Sequence, residues 1–219
     1  MPDQPVEDRR GPLRPPARGA RRPLRTPLSA RPVFVVTGPS GAGKGTLIRE
    51  LVERVPELEV AVSATTRARR QDEVDGREYY FLSEDDFVDR IQEGEFLEHV
   101  QYVGGRYGTI RSEIERIADE GKVCVLELEI EGALRVQDEV PGAVTIFIAA
   151  SVPELERRLL ARATESEGVI EERVTLARWQ LEQAHRFRYG IRNDDLERAT
   201  QALVALVETE LQAQVPSSP

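Results

Sequence analysis

The sequence predicts an α/β fold, a parallel sheet flanked by helices, interrupted by a small mixed α/β insertion and followed by a pair of charged helices. Three observations predict it. Residues 33–37 (Val-Phe-Val-Val-Thr) form a continuous apolar run, as in a strand buried on both faces, and a glycine-rich turn and an amphipathic helix follow. Two more apolar runs, 122–130 and 143–148, come later, with helical patterns between and after them. The stretch at 64–110 differs in character, mixing short alternating segments with one short helix.

The elements follow in order. Leu47, Ile48, Leu51, Val52 and Val55 recur at helical spacing, and Pro56 stops that helix. Residues 60–63 read as a second strand. Within the insertion, 78–82 alternates like a strand, Ser83 can cap a helix running to Gly94, and 96–102 reads as a further strand. Helices at 153–162 and 169–186 are joined by 163–168. A last helix covers 195–211, with Leu196, Ala199, Leu203 and Val207 on one face. The expected organisation is a domain at 33–213, with its core at 33–62, 110–152 and 187–213, the insertion at 63–109 and the helical pair at 153–186. Residues 1–32, rich in Pro and Arg, are expected to be a disordered tail, and 214–219 a flexible end.

Composition narrows the function classes. About 40% of the 219 residues are hydrophobic, enough for a core, but no apolar run approaches a membrane span. The tail has no apolar segment of the secretory kind, so a cytoplasmic protein is expected. One cysteine, Cys124, excludes an internal disulfide framework and reads as a small core residue. His99 and His185 have no partners at ligand spacing, which argues against a metal held by protein alone. The net charge is −9, yet the eight arginines and three acids of residues 1–31 leave that segment at +5, so the rest carries −14. An acidic body argues against nucleic acid as a partner. An anionic substrate must therefore be met by local arginines.

Gly38-Pro39-Ser40-Gly41-Ala42-Gly43-Lys44-Gly45-Thr46 fits G-x-x-x-x-G-K between a strand and a helix, the context of a P-loop. The fold is therefore expected to be of the P-loop NTPase type. The glycines let successive N–H groups turn inward onto phosphate oxygens, the helix adds its N-terminal partial charge, and Lys44 can bridge β- and γ-phosphates. The hydroxyl usually placed at 45 is missing. Thr46 is the hydroxyl left to approach Mg²⁺, which can otherwise ride on phosphates and water. The Lys-Gly-Thr ending resembles that of adenylate kinases.

The residues that choose the phosphate acceptor lie in the insertion. Ser63-Ala64-Thr65-Thr66-Arg67-Ala68-Arg69-Arg70 and Glu73-Val74-Asp75-Gly76-Arg77-Glu78-Tyr79-Tyr80-Phe81 are followed by Gly94-Glu95-Phe96-Leu97-Glu98-His99 and Arg106-Tyr107-Gly108-Thr109. With Leu126-Glu127-Leu128-Glu129-Ile130-Glu131-Gly132 and Asn193-Asp194-Asp195, this series resembles the guanylate kinase family over about residues 33–213. The resemblance implies ATP and GMP as substrates, and dGMP beside GMP. It implies that Arg67, Arg70, Tyr79 and Tyr107 grip the acceptor phosphate, while Ser63, Glu98 and Thr109 face the base. The residue types suit those roles. Arginine offers a planar fork to phosphate oxygens, and a carboxylate can accept together from the adjacent N1–H and N2 amine of guanine. The family usually has Asp where this chain has Glu127 and Glu129, at positions that touch the metal shell and the base, so the resemblance counts both among the GMP-binding residues.

The same resemblance makes 153–186 a lid. Arg158, Arg162 and Arg173 fall at its arginine positions, as catalytic groups beside Lys44, and Asn193 falls in the loop near the adenine. The family's Arg-Gly-Thr is Arg162-Ala163-Thr164 here. The implied reaction is MgATP + GMP → ADP + GDP. Two other readings stay open at this point: a related small kinase with a different phosphate acceptor, and an inactive guanylate-kinase-like module that only binds.

Overall fold

The computed structural model describes residues 32–102, 104–162 and 167–213, the side chains of 162–171 excepted. The expected tail and flexible end lie outside those residues. Along the chain run β1 (Phe34–Thr37), α1 (Lys44–Arg54), β2 (Leu58–Val60), β3 (Ala64–Thr65), β4 (Tyr80–Phe81), α2 (Glu84–Gln92), β5 (Phe96–Tyr102) and β6 (Gly105–Ile110). Then follow α3 (Arg111–Asp119), β7 (Val123–Glu127), α4 (Ile130–Glu139), β8 (Val144–Ala149), α5 (Val152–Arg162), α6 (Glu167–Glu182), a 3₁₀ turn (Gln183–Arg186), β9 (Tyr189–Arg192) and α7 (Leu196–Ala213). They form two compact units, one at 62–113 and one containing 32–61 and 114–213.

The larger unit holds a five-stranded sheet in the order β2-β7-β1-β8-β9, parallel throughout. Such strands are covered on both faces, which is why they read as apolar runs. Phe34, Val36, Val125, Ile146 and Ile148 pack with Leu47, Ile48 and Leu51 of α1 and with Leu203 and Val207 of α7. Cys124 is buried within β7. Strand β1 has β7 on one side and β8 on the other, so the chain reverses direction of progress there. Ligands of open parallel sheets bind at such a switch point, beyond the carboxyl ends of the strands. The glycine-rich loop leaves β1 at that place.

The smaller unit holds a mixed sheet in the order β4-β3-β6-β5, with β3 and β4 parallel and the other pairs antiparallel. Its own core contains Val62, Ala64, Tyr80, Phe87, Phe96 and Ile110. Phe87 and Phe96 stack with centroids 4.3 Å apart. Ser83 caps α2 as its position suggests, its Oγ accepting from Asp86 N–H at 3.1 Å. Glu113, 1% exposed, accepts from Val62 N–H and Tyr80 Oη–H, at 3.2 and 3.1 Å, and so ties the start of this unit to its end.

Several boundaries differ from expectation. The strand expected at 122–130 stops at Glu127: Leu128 N–H still makes the last ladder bond, to Val36 O, but Glu129 is already the N-cap residue of α4. Leu128 stays buried outside the strand, so the apolar pattern outran the ladder. The strand expected at 78–82 shortens to Tyr80–Phe81, since Gly76 N–H bonds to Tyr79 O in a tight turn. Of the strand expected at 60–63 only Val60 lies in one: Leu58–Val60 joins the parallel sheet, 61–63 form the connection, and Ala64–Thr65 joins the other sheet. The Tyr-Gly-Ile-Arg segment is poor in apolar residues yet forms β9. An edge strand needs only one buried side chain, and Ile191 supplies it. Among the described residues no helix is long and apolar enough to cross a membrane.

Candidate functional site

The loop between β1 and α1 is shaped by glycines that no other residue could replace at the same cost. Gly38, Gly41 and Gly43 have φ of 142°, 84° and 87°. Gly43 is the N-cap of α1, with no side-chain cap and no acidic residue in the first turn. The N–H groups at that helix end are therefore not satisfied by the helix's own cap, as an anion-binding end requires. Lys44 donates from Nζ to Gly38 O at 2.7 Å, so the ammonium lies over the loop it serves.

Two side chains brace the loop from behind. Arg158 on α5 donates from Nη1 to Gly41 O and Ala42 O at 3.3 and 3.2 Å, and from Nη2 to Asn193 O at 2.8 Å. Its Nε is held by Glu154 at 2.5 Å. Hydrogen bonds from Arg157 first, and then Arg158, pull the Glu154 carboxyl down to about 2. That lowered pKa means the brace is present at neutral pH and is lost only as pH falls through that value. Asn193, 2% exposed, donates from Nδ2 to Ala42 O at 2.8 Å. Its Oδ1 is buried with no hydrogen-bond partner among the described residues. Asn193→Ala is expected to remove the shorter of the two side-chain bonds to Ala42 O, leave that of Arg158, and cost about 0.5–1.5 kcal/mol. Thermal unfolding reads it, and a Tm unchanged within one degree would show that the bond carries nothing.

Glu127 and Glu129, at the end of β7 and just beyond it, sit near the same lysine. Desolvation raises both carboxyls above the ordinary range; Lys44 opposes this for each, and Glu129 adds to it for Glu127. The Glu127 side chain is open to solvent on one side, yet protein crowds its carboxyl enough for desolvation to dominate. A Cβ on Gly45 would stand 3.6 Å from Glu127 Oε2. The carboxylate thus overhangs the turn whose usual hydroxyl is missing. Thr46 lies half-buried in the first turn of α1. Among the described residues no group of three His, Cys, Asp or Glu could hold a metal alone.

The smaller unit gathers a second set. The Arg67 guanidinium lies 5.5 Å from the Tyr79 ring centroid and donates from Nε to Tyr107 Oη at 3.2 Å. Tyr79 and Tyr107 meet edge to face at 5.8 Å. Arg70 is more open, its side chain 76% exposed with Nη1 4.0 Å from Glu73 Oε1. Glu98 is 4% exposed in β5 and pairs across the sheet with Thr109 in β6. Its Oε1 accepts from both Thr109 N–H and Oγ1–H, at 3.0 and 2.9 Å. Gly108 permits that pairing, because a Cβ there would meet the Phe96 ring at 2.7 Å and Glu98 O at 2.9 Å. Ser63 is half-buried just ahead of β3, its carbonyl accepting from Tyr80 N–H.

Of the expected lid arginines, Arg173 lies half-buried on α6, and Arg162 ends α5 with its side chain outside the described set. Sequence reasoning passed over Glu73. Its carboxylate takes two bonds from the Arg67 fork, at 2.7 and 3.0 Å, and one from Arg70 N–H at 2.8 Å. The hydrogen bond from Arg67 is the main cause that lowers its pKa. The available signal was a carboxylate six residues after an arginine within one turn, which is too common to stand out.

Known proteins share this arrangement of sequence. A family model described as guanylate kinase matches residues 29–210. The chain is 44% identical over 176 residues to a guanylate kinase of Rubrobacter xylanophilus, a match covering 80% of this chain and 92% of that one. It is 45% identical over 196 residues to one from Deinococcus radiodurans, covering 88% and 82% respectively. Among solved structures, the guanylate kinase from Anaplasma phagocytophilum superimposes with a TM-score of 0.68 at 27% identity, covering 83% of this chain and 86% of that one.

Proposed function

The chain belongs to the guanylate kinase family, and on that premise we propose which of its residues carry the transfer of the ATP γ-phosphoryl group to GMP. ATP is assigned to the loop 38–46, with Lys44 on its phosphates and Asn193 at its adenine side. GMP, and dGMP with it, is assigned to the 62–113 unit. There Arg67, Arg70, Tyr79 and Tyr107 hold the phosphate, and Ser63, Glu98 and Thr109 read the base. Glu127 and Glu129 lie by Lys44 and serve the donor end. Arg158, Arg162 and Arg173 are assigned to the transferring phosphoryl group, with Arg158 also fixing the loop that carries it.

The oxygen donors by Lys44 suit a hard divalent cation. Carboxylates at 127 and 129 and the Thr46 hydroxyl are the groups that would face magnesium riding on ATP. Such an ion supplies neutralisation of charge on the phosphate oxygens. The chain's own work is positioning. Lys44 and the N–H groups of the loop hold the donor, and the attacking phosphate is already an anion, so no general base is needed. Closing water out would protect ATP from hydrolysis.

The observation that carries the choice of acceptor is Glu98, a carboxylate 4% exposed and anchored by Thr109. Guanine presents two adjacent donors to such a group. Adenine has an acceptor at N1 and lacks the N2 amine. A purified protein with MgATP should form ADP rapidly with GMP and dGMP and hardly at all with AMP or UMP. Equal rates with AMP would defeat the assignment. Glu98→Gln should lower kcat/KM for GMP by about 10- to 100-fold while the KM for ATP stays within about twofold, in line with the loss of a charged hydrogen-bond acceptor.

A further inference from the structure

Resting on the assignment of Arg67 to the acceptor phosphate, we propose that Glu73 is the positioning residue of that site, holding the Arg67 fork and the Tyr107 hydroxyl in the arrangement that receives GMP. A guanidinium has five N–H groups. In Arg67 the Nε–H goes to Tyr107 Oη, one Nη1–H to Ala68 O at 2.6 Å, another to Glu73 Oε2 at 3.0 Å, and one Nη2–H to Glu73 Oε1 at 2.7 Å. One Nη2–H remains unassigned among the described residues. Tyr107 accepts from Arg67 through its oxygen, which turns its own O–H away from the guanidinium. The pair thus presents one N–H and one O–H outward, instead of an unanchored fork.

Two features say that this arrangement is built in. Arg67 and Glu73 are each only 13% exposed in their side chains, unlike the neighbouring Arg70 at 76%. Glu73 also accepts from Arg70 N–H at 2.8 Å, and its own N–H reaches Arg70 O at 3.2 Å, so one carboxylate fixes both the guanidinium and the turn that carries it. A bidentate pair fixes the orientation of the fork as well as its place. Arginine otherwise keeps much rotamer freedom, which a bound phosphate would have to freeze.

The same carboxylate brings a negative charge near an anion site, so the opposite outcome is physically open: freed of Glu73, Arg67 could grip the phosphate harder. Calorimetric titration with GMP and with guanosine, which lacks the phosphate, decides between them. Glu73→Gln is expected to weaken GMP binding about tenfold and leave guanosine within twofold. Glu73→Asp should fall between wild type and Glu73→Gln, and it replaces the latter if the amide does not fold. In an Arg67→Met background, Glu73→Gln should have no further effect on GMP, since it acts through Arg67. Tighter or unchanged GMP binding by a folded Glu73→Gln protein overturns the proposal, as does an additive double mutant. An Arg67→Met protein that binds GMP like wild type would instead refute the phosphate assignment beneath it.

Discussion

Lys44→Met is expected to reduce kcat by at least about 10²- to 10³-fold while the protein stays folded. An ammonium poised over transferring phosphate oxygens is worth about that much in comparable sites. The structure gives reasons to expect the upper end. Lys44 Nζ bonds to the carbonyl of Gly38, the first residue of the loop, so its loss removes a charge and loosens the turn. It also removes a cation whose field opposes the raised pKa of Glu127 and Glu129. The two carboxyls should then take up protons at higher pH than in the wild type. Steady-state kinetics with varied ATP and GMP read the first effect. A kcat within threefold of wild type would remove Lys44 from the chemistry.

Gly38→Ala should be severely damaging for a single added methyl group. At this position the added Cβ would come 2.1 Å from Ile148 O, an atom of the β8 backbone, at a φ of 142° that other residues rarely adopt. Neither the loop nor the strand can give way without breaking the ladder between β1 and β8. Overpacking and backbone strain each cost about 1–3 kcal/mol, so about 3–5 kcal/mol is expected, or a Tm about 10 °C lower. Gly142→Ala is the control. It has φ of 84° but open space around the new Cβ, so it should show the strain alone. Equal losses in the two variants would show that the approach to Ile148 is not what matters.

Where the determinants were local, the sequence was readable. The loop at 38–46 could be placed because the glycines, the apolar strand before them and the helix after them lie within one short segment. The core helices were readable from spacing, as with Leu47, Ile48 and Leu51. What failed was any reading that required knowing which strand lies beside which. Leu128 extends an apolar run but not the strand, because the chain turns at Glu129 into α4 one residue after the last ladder bond. The order β2-β7-β1-β8-β9 is a property of pairing, and no run of residues announces it. Arg158 was expected to serve the phosphoryl group; its bonds to Gly41, Ala42 and Asn193, which also brace the loop, come from elements far apart in the chain and left no local pattern. Glu73 illustrates the same limit at short range. A salt bridge within a turn leaves no pattern, since charged residues in turns are ordinary.

The pairing of β2 with β7 has a consequence for how the chain gets there at all. Leu58 lies beside Val123, so the whole 62–113 unit is strung between two neighbouring strands. Bringing those strands together closes a long loop, and a search over such a loop is slow. The equilibrium penalty is small, because each doubling of loop length adds only about 0.6 kcal/mol. The inserted unit has its own core, and Glu113 ties its last segment to Val62 at its first. If that unit collapses early, its two ends are already close, and the remaining search is shortened to that of an ordinary strand–helix–strand crossing. The insertion then acts as a clasp for the central sheet during folding, and variants that loosen it should slow refolding more than they lower the stability of the parallel strands.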